Sequence, residues 1–310
     1  MAAPVYDEKF LEDLKCPQNF SSLKHQIAKF VTSHQERCSR VVLVTSGGTT
    51  VPLESRTVRF IDNFSIGTRG SASAEYFLDE GYAVIFLHRN RSLTPFARHF
   101  TPSSFMDVMK FDENRIIVDE IQVPALSKIL ERYQRAKAEN RLLLIGFQTI
   151  GEYLHLLRVC ATELKSVGKL AMLYLAAAVS DFYIPKEDLP EHKIQSSDGP
   201  LKIHLQMVPK MLGPLVHDWA RNAFVVSFKL ETDTSLLLSK SKQALEKYQH
   251  QVVIGNILEG RKREVTIVQT DTITPIVLSQ TEIDNEIEIE LRIVKNLCKL
   301  HEQHFDIEND

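Results

Sequence analysis

Two hydrophobic patterns alternate along the chain. Phe20, Leu23, Ile27, Phe30 and Val31 recur at helical spacing and predict an amphipathic helix over residues 20–37. The pattern then changes to a short run, Val41-Val42-Leu43-Val44, that ends at Ser46-Gly47-Gly48. A continuous β-branched run closed by glycine predicts a strand buried on both faces, followed by a tight loop. Similar runs at 83–87, 142–145, 173–178, 223–228 and 251–255 predict further buried strands. Helical patterns separate most of them, at 71–80, at 151–167 with Leu154, Leu157 and Leu164 on one face, and at 234–249. Strands that alternate with helices in this way predict an α/β fold, a doubly wound and mostly parallel Rossmann-like sheet with helices on both faces.

After Asn256 the alternation stops. Residues 264–268 and 273–278 predict a strand pair joined by a turn, and 283–301 a last amphipathic helix that packs back on the sheet. Residues 186–200, rich in proline, charge, serine and glycine, predict a long mobile loop, and the alternation over 201–207 an edge strand. With no internal repeat and no long linker, residues 1–310 are expected to form one domain with excursions.

Charge narrows the possibilities. The 37 basic and 40 acidic side chains leave a net charge of -3, which provides no general attraction for nucleic acid. Cys16, Cys38, Cys160 and Cys298 lie far apart and form neither a CxxC pair nor a metal knuckle, so reduced thiols are expected. The opening MAAPVYDEKF lacks the pattern of a secretory or transit leader, and no apolar run approaches the ~20 residues of a membrane helix. The expectation is a cytoplasmic protein with no membrane partner.

Five segments carry candidate chemistry. Thr45-Ser46-Gly47-Gly48-Thr49-Thr50 follows the first strand, where glycines let backbone amides approach a phosphate or ribose; a structural turn is the alternative. Arg59-Phe60-Ile61-Asp62-Asn63-Phe64-Ser65-Ile66-Gly67-Thr68-Arg69-Gly70 leads into a helix whose exposed amides suit a polyphosphate. It matches neither GxGxxG nor GxxxxGK[ST], and a small-residue helix packed tightly on the sheet also accounts for it. Ala176-Ala177-Ala178 removes side-chain bulk at a strand end before Asp181, which can accept hydrogen bonds from a substrate or cap a helix. Lys193 lies on the loop, able to neutralise phosphate charge or simply to be solvated. Phe228 and Asn256 end two late strands, where they can stack on a base and read its edge or serve structure alone. Scattered histidines support neither zinc hydrolysis nor a Ser-His-Asp triad.

Taken in order, SGGT-x-x-PLE, R-x-x-DNFS-x-G-x-x-G, AAAVSDF, HKIQSS, SFKLET and the late Gly-Asn resemble phosphopantothenoylcysteine synthetase (phosphopantothenate–cysteine ligase), most closely its monofunctional eukaryotic form. The resemblance implies an enzyme of coenzyme A synthesis that joins 4'-phosphopantothenate to L-cysteine through an acyl nucleotidylate, with ATP or CTP as co-substrate and Mg2+. ATP is favoured because the loop around Lys193 lacks the further lysines of bacterial relatives. By similarity Gly47, Gly48, Ser65, Gly67 and Gly70 line the triphosphate, with Phe228 and Asn256 near base and ribose. Asn63 holds the reacting carboxylate, Ala177, Ala178 and Asp181 bind the pantothenate arm, and Lys193 reaches the phosphates. The resemblance further implies a homodimer with a small strand-rich dimerisation element, in which Arg59 crosses to the partner's substrate phosphate. It names no metal ligand. A nicotinamide-dependent oxidoreductase and a nucleotide-binding protein without turnover are the alternatives that the sheet pattern leaves open.

Overall fold

The computed structural model describes residues 6, 8–100, 106–118 and 125–306; most of residues 1–7, read above for a leader, lie outside them. Eight strands form the main sheet: β1 (Val41–Ser46), β2 (Ala83–Arg89), β3 (Leu142–Phe147), β4 (Ala171–Leu175), β5 (Phe224–Glu231), β6 (Val252–Ile257), β7 (Glu264–Val268) and β8 (Ile273–Val277). Their order across the sheet is β8-β7-β6-β5-β4-β1-β2-β3. The first six are parallel in the doubly wound order, and β7 and β8 extend the sheet in antiparallel fashion, with Pro275 in the edge strand β8. The main helices are α1 (Phe20–Gln35), α2 (Thr68–Asp79), α3 (Leu126–Ala138), α4 (Ile150–Leu164), α5 (Thr234–Tyr248) and α6 (Ile289–Asp306).

The unbroken apolar runs exist because each strand is covered twice. Val41 and Leu43 join Ile27, Phe30, Leu154 and Leu157 of α1 and α4 in one core, whereas Val42 and Val44 join Phe77, Ile293 and Leu297 of α2 and α6 in the other. Local chemistry sets the helix starts. At α4 the Thr149 hydroxyl accepts from the Glu152 amide while the Glu152 carboxylate accepts from the Gln148 amide, so two otherwise unpaired donors are satisfied.

Three expectations need correction. The strand expected at 173–178 spans 171–175, because the Ala177 amide donates to Thr45 Oγ1 rather than to the ladder. The edge strand expected at 201–207 shrinks to Gln206–Met207, which pairs with Phe182–Tyr183 outside the main sheet and leaves Leu201 and Ile203 exposed. The last helix is broken: a turn over Gln280–Asp284, capped by Ser279, stops before Glu286 at φ +55°, and α6 begins at Ile289. The break turns Glu288 toward Arg98 (Nη2 to Oε2, 2.7 Å) and the Tyr76 hydroxyl (2.9 Å). The loop at 186–200 holds two short helical turns and makes the hydrogen bonds described below. All four cysteines are free, and no helix of the described residues is long and apolar enough to cross a membrane.

One buried histidine gives the core a pH dependence. His301 donates from Nε2 to the Lys169 carbonyl, and its Nδ1 shares a hydrogen bond with the Tyr82 hydroxyl, both at 2.8 Å, in a buried position that favours the neutral ring. Burial pushes its pKa down to about 4, and the same cause pushes His250 to about 4. An unfolded chain takes up these protons below about pH 6.5, so stability should be full above that value and fall as pH drops toward the folded values. Urea midpoints at pH 4.5 and 7.5 test this, and His301→Gln, which keeps a donor and an acceptor, should narrow the gap between them.

Candidate active site

The connections leaving β1 and β4 run to opposite sides of the sheet, and at such a switch point open α/β sheets hold ligands in a crevice beyond the carboxyl ends of the strands. Four hydrogen bonds stitch its walls together. Ala178 donates to the Gly47 carbonyl (2.8 Å) and Thr49 to the Ala178 carbonyl (3.1 Å). The hydroxyls of Thr45 and Thr49 accept from the amides of Ala177 (3.1 Å) and Ser180 (2.9 Å). Asn63 enters the same seam, with its amide on the Thr49 carbonyl at 3.2 Å.

The glycines make this closeness possible. A Cβ on Gly48 would lie 1.9 Å from the Asn63 carbonyl oxygen, and one on Gly70 would lie 2.4 Å from Ser46 Oγ. Gly67, at φ +86°, caps α2 in a left-handed conformation disfavoured for residues with a Cβ. The first intrahelical bond of α2 runs from Ser71 to the Gly67 carbonyl, so the amides of Thr68, Arg69 and Gly70 remain outside the ladder at the positive end of the helix. One arrangement therefore gives both tight packing and a helix start whose amides could meet an anion.

A buried acid organises the neighbouring wall. Glu54 is 0% exposed. Its carboxylate accepts from the Arg59 amide (2.9 Å), the Val58 amide (3.2 Å) and the Arg59 guanidinium (3.1 Å). Backbone hydrogen bonds, foremost that from Arg59, hold its pKa below the ordinary glutamate range against the effect of burial. The same guanidinium donates to the Ile194 carbonyl at 3.1 Å, while Ser55 and Arg56 donate to the carbonyls of Pro190 and Glu191. Lys193 thus projects, exposed, from a loop fastened to the Arg59 turn.

The remaining candidates surround the crevice. The Phe228 ring packs edge-on against Tyr174, with the centroids 4.9 Å apart, and the Arg69 guanidinium carbon lies 6.0 Å from its centre. Arg69 is held by Glu290 (3.0 Å) and the Arg261 carbonyl (2.6 Å). Asn256 is buried at the end of β6, beside Leu230 of β5. Asp181 is exposed and ion-paired with Lys210. Both line a cavity of about 310 Å³ whose walls also include Ala177, Ser227 and Tyr248. Among the described residues no group of three or more His, Cys, Asp or Glu side chains is arranged to hold a metal ion.

A human phosphopantothenate–cysteine ligase is 49% identical over 281 residues, covering 89% of this chain and 90% of that protein. The chain belongs to the phosphopantothenate–cysteine ligase family. Ligase CAB2 of Saccharomyces cerevisiae is 44% identical over 292 residues, covering 86% of this chain and 75% of that protein. A solved structure of Cab2, a mutant in complex with phosphopantothenate-cysteine, superimposes with a TM-score of 0.89 at 40% identity and covers 98% of this chain and 100% of that one. Residues 156–295 match the DNA/pantothenate metabolism flavoprotein C-terminal domain. Membership of this ligase family sets aside the nicotinamide-dependent alternative.

Seen on the fold, Gly47, Gly48, Asn63, Ser65, Gly67 and Gly70 come from the β1 loop and the start of α2, with Ala177 and Ala178 across the seam. Asn256 lies near the end of β6, whereas Phe228, expected to end its strand, lies inside β5, which runs on to Glu231; Asp181 and Lys193 are on loops. The sequence motifs contain Thr45, Thr49 and Glu54 but assign them no role of their own. The available signal was polar residues in a segment whose neighbours are all buried: Thr45, Ser46, Thr49 and Glu54 are each 0% exposed.

If Glu54 fastens the Lys193 loop, Glu54→Gln should speed hydrogen exchange of the amides at 58, 59 and 191–194 while the central strands keep their protection. Unchanged exchange in that loop would show that other contacts hold it.

Proposed function

We propose that this chain joins 4'-phosphopantothenate to L-cysteine in two steps at the β1/β4 crevice, with ATP as the preferred nucleotide and CTP as the alternative. The substrate carboxylate attacks the α-phosphorus; a carboxylate–phosphorus bond forms, the bond to the β-phosphate breaks, and pyrophosphate leaves. The uncharged amine of cysteine then attacks the activated carbonyl, AMP departs with the bonding pair, and the amine proton passes to solvent. A free carboxylate is a poor electrophile at neutral pH, whereas the mixed anhydride carries a good leaving group. Positioning and charge stabilisation are what the protein must add.

The observation that carries this reading is the position of Asn63. Its backbone is locked to Gly48 and Thr49, between the free amides of α2 and the alanines after β4. In the proposed complex the amides near Gly67 and Gly70, with Gly47, Gly48 and Ser65, take the triphosphate; Phe228 and Asn256 take the base and ribose. Asn63 orients the carboxylate, Ala177, Ala178 and Asp181 contact the pantothenate arm, and Lys193 approaches the phosphates. Mg2+ binds readily through phosphate oxygens and few carboxylates, which suits a crevice built of amides and hydroxyls; the metal would be held by the nucleotide's own phosphates and would offset their charge.

A homodimer in the cytoplasm belongs to the same proposal. Val58, Phe60, Phe64 and Ile66 are 56%, 48%, 87% and 59% exposed, an apolar fringe around Arg59 that a second copy would cover. A second apolar surface lies on the hairpin Met109–Asp112/Arg115–Val118, where Phe111 and Ile116 are exposed. Arg59 would then serve the partner's substrate phosphate.

Mass spectrometry of reactions with phosphopantothenate, cysteine, Mg2+ and either ATP or CTP should detect the amide, the nucleoside monophosphate and pyrophosphate. Tight nucleotide binding without amide would defeat the proposal. Asn63→Ala and Lys193→Gln should each lower kcat by about a hundredfold to a thousandfold, the usual effect of removing one transition-state donor, with unfolding midpoints unchanged. Mixed dimers of Arg59→Ala and Asn63→Ala chains should regain part of the activity. Hybrids that form but stay inactive would refute a shared site.

A further inference from the structure

We infer that the hollow beside the cradle is a second phosphoryl-binding subsite, with Arg91 as its free cation and the hydroxyls of Ser92 and Ser65 as its donors. The inference rests on the nucleotide cradle proposed above. The hollow has a volume of about 590 Å³ and forms where β2 ends, in the sequence Arg89-Asn90-Arg91-Ser92, with Phe60, Ser65, Ile66 and Gln148 on its other walls.

The two arginines are in different electrostatic states. Arg89 is already neutralised, since its Nη1 lies 2.6 and 2.7 Å from the two carboxylate oxygens of Asp62. Arg91 is exposed and, among the described residues, has no carboxylate partner. Its backbone sits at φ +67°, a conformation uncommon for a long side chain. The hollow therefore has one uncompensated positive charge.

Its donors are unusual too. Ser92 Oγ is buried and has no hydrogen-bond partner, whereas buried hydroxyls are nearly always paired. That oxygen lies 3.2 Å from where a Gly47 Cβ would be, so the hollow adjoins the cradle directly. The Ile66 carbonyl accepts from the Leu93 amide (2.9 Å), which ties the two rims together. Gly146 has no side chain where Asn90 lies: a Cβ there would be 2.2 Å from Asn90 Oδ1. One planar guanidinium, two hydroxyls and two carboxamides share the lining with Phe60 and Ile66, and the polar groups form a donor set that suits the several oxygens of a phosphoryl group.

Such a group has two sources in the proposed reaction: the outer phosphates of the triphosphate, which leave as pyrophosphate, or the phosphate of the phosphorylated acid. Kinetics can separate them. Asparagine tolerates positive φ, so Arg91→Asn removes the charge with little risk to the fold, and Arg91→Lys restores a charge without the fork. If the outer phosphates bind here, Arg91→Asn should raise the KM for ATP about tenfold, the scale of one charge-assisted contact, and weaken pyrophosphate inhibition equally. The KM for the phosphorylated acid and kcat would change little. If the acid's phosphate binds here, its KM should rise instead, and the preference for phosphopantothenate over pantothenate should fall by the same factor. In either case Arg91→Lys should recover part of the loss, and Ser92→Ala should reproduce a smaller share of it.

Calorimetric titration with inorganic pyrophosphate and with inorganic phosphate, on wild type and Arg91→Asn, needs no turnover. Both KM values and both anion affinities within twofold of wild type would overturn the subsite, even in an enzyme that forms the amide normally. Anion binding that disappears in Arg91→Asn, in a chain that makes no amide, would keep the subsite and reject the proposed reaction.

Discussion

The hydrogen-bonded seam between the loops after β1 and β4 is the constraint on which the site depends. In a doubly wound sheet these loops diverge, and nothing in the strand ladder beyond Ser46 and Leu175 keeps them at a fixed separation. Here two threonine hydroxyls and two backbone bonds replace the ladder. Residues that come from opposite sides of the sheet thereby share one rigid wall. Rigidity matters because a group misplaced by about 1 Å can cost two orders of magnitude in rate.

The cradle helix is fixed from its other side by buried charge. Glu75 of α2 lies almost fully buried; burial alone would raise its pKa, but His99, Arg98 and the Phe96 amide outweigh that and keep it below the ordinary range. Arg98 continues to Glu288, and Arg69 bonds Glu290, so α2 is connected twice to the start of α6. A buried ion pair is weak evidence of net stability, yet removing one partner is strongly destabilising because the other charge is left unpaired. The break before α6, which turns Glu288 inward, thus belongs to the support of the site, far from it in sequence.

These connections mark the limit of what was legible beforehand. The six parallel strands could be read because burial on both faces leaves an unmistakable apolar run, as in Val41 to Val44. The glycine motifs could be read because packing at 1.9 to 2.4 Å admits no side chain. Helix α3 escaped notice, since only Ile129 and Ala136 of its thirteen residues are buried. Glu54 was hidden for another reason. An acid after Pro-Leu reads as surface, and its burial is decided partly by Ile194, whose carbonyl receives the same Arg59 guanidinium across 135 positions. Interactions of that range leave no periodic trace in a sequence.

The antiparallel end of the sheet bears on how copies of the chain can meet. An open edge strand is a template for pairing with a neighbouring molecule, and proteins commonly blunt it. Pro275, in register with Thr266, lacks the N–H that an added strand would need at that point, although Ile273 and Val277 leave apolar surface on the same edge. Ribbon-like growth of the sheet past β8 is thereby interrupted, which disfavours the edge-to-edge stacking of many copies into a fibre.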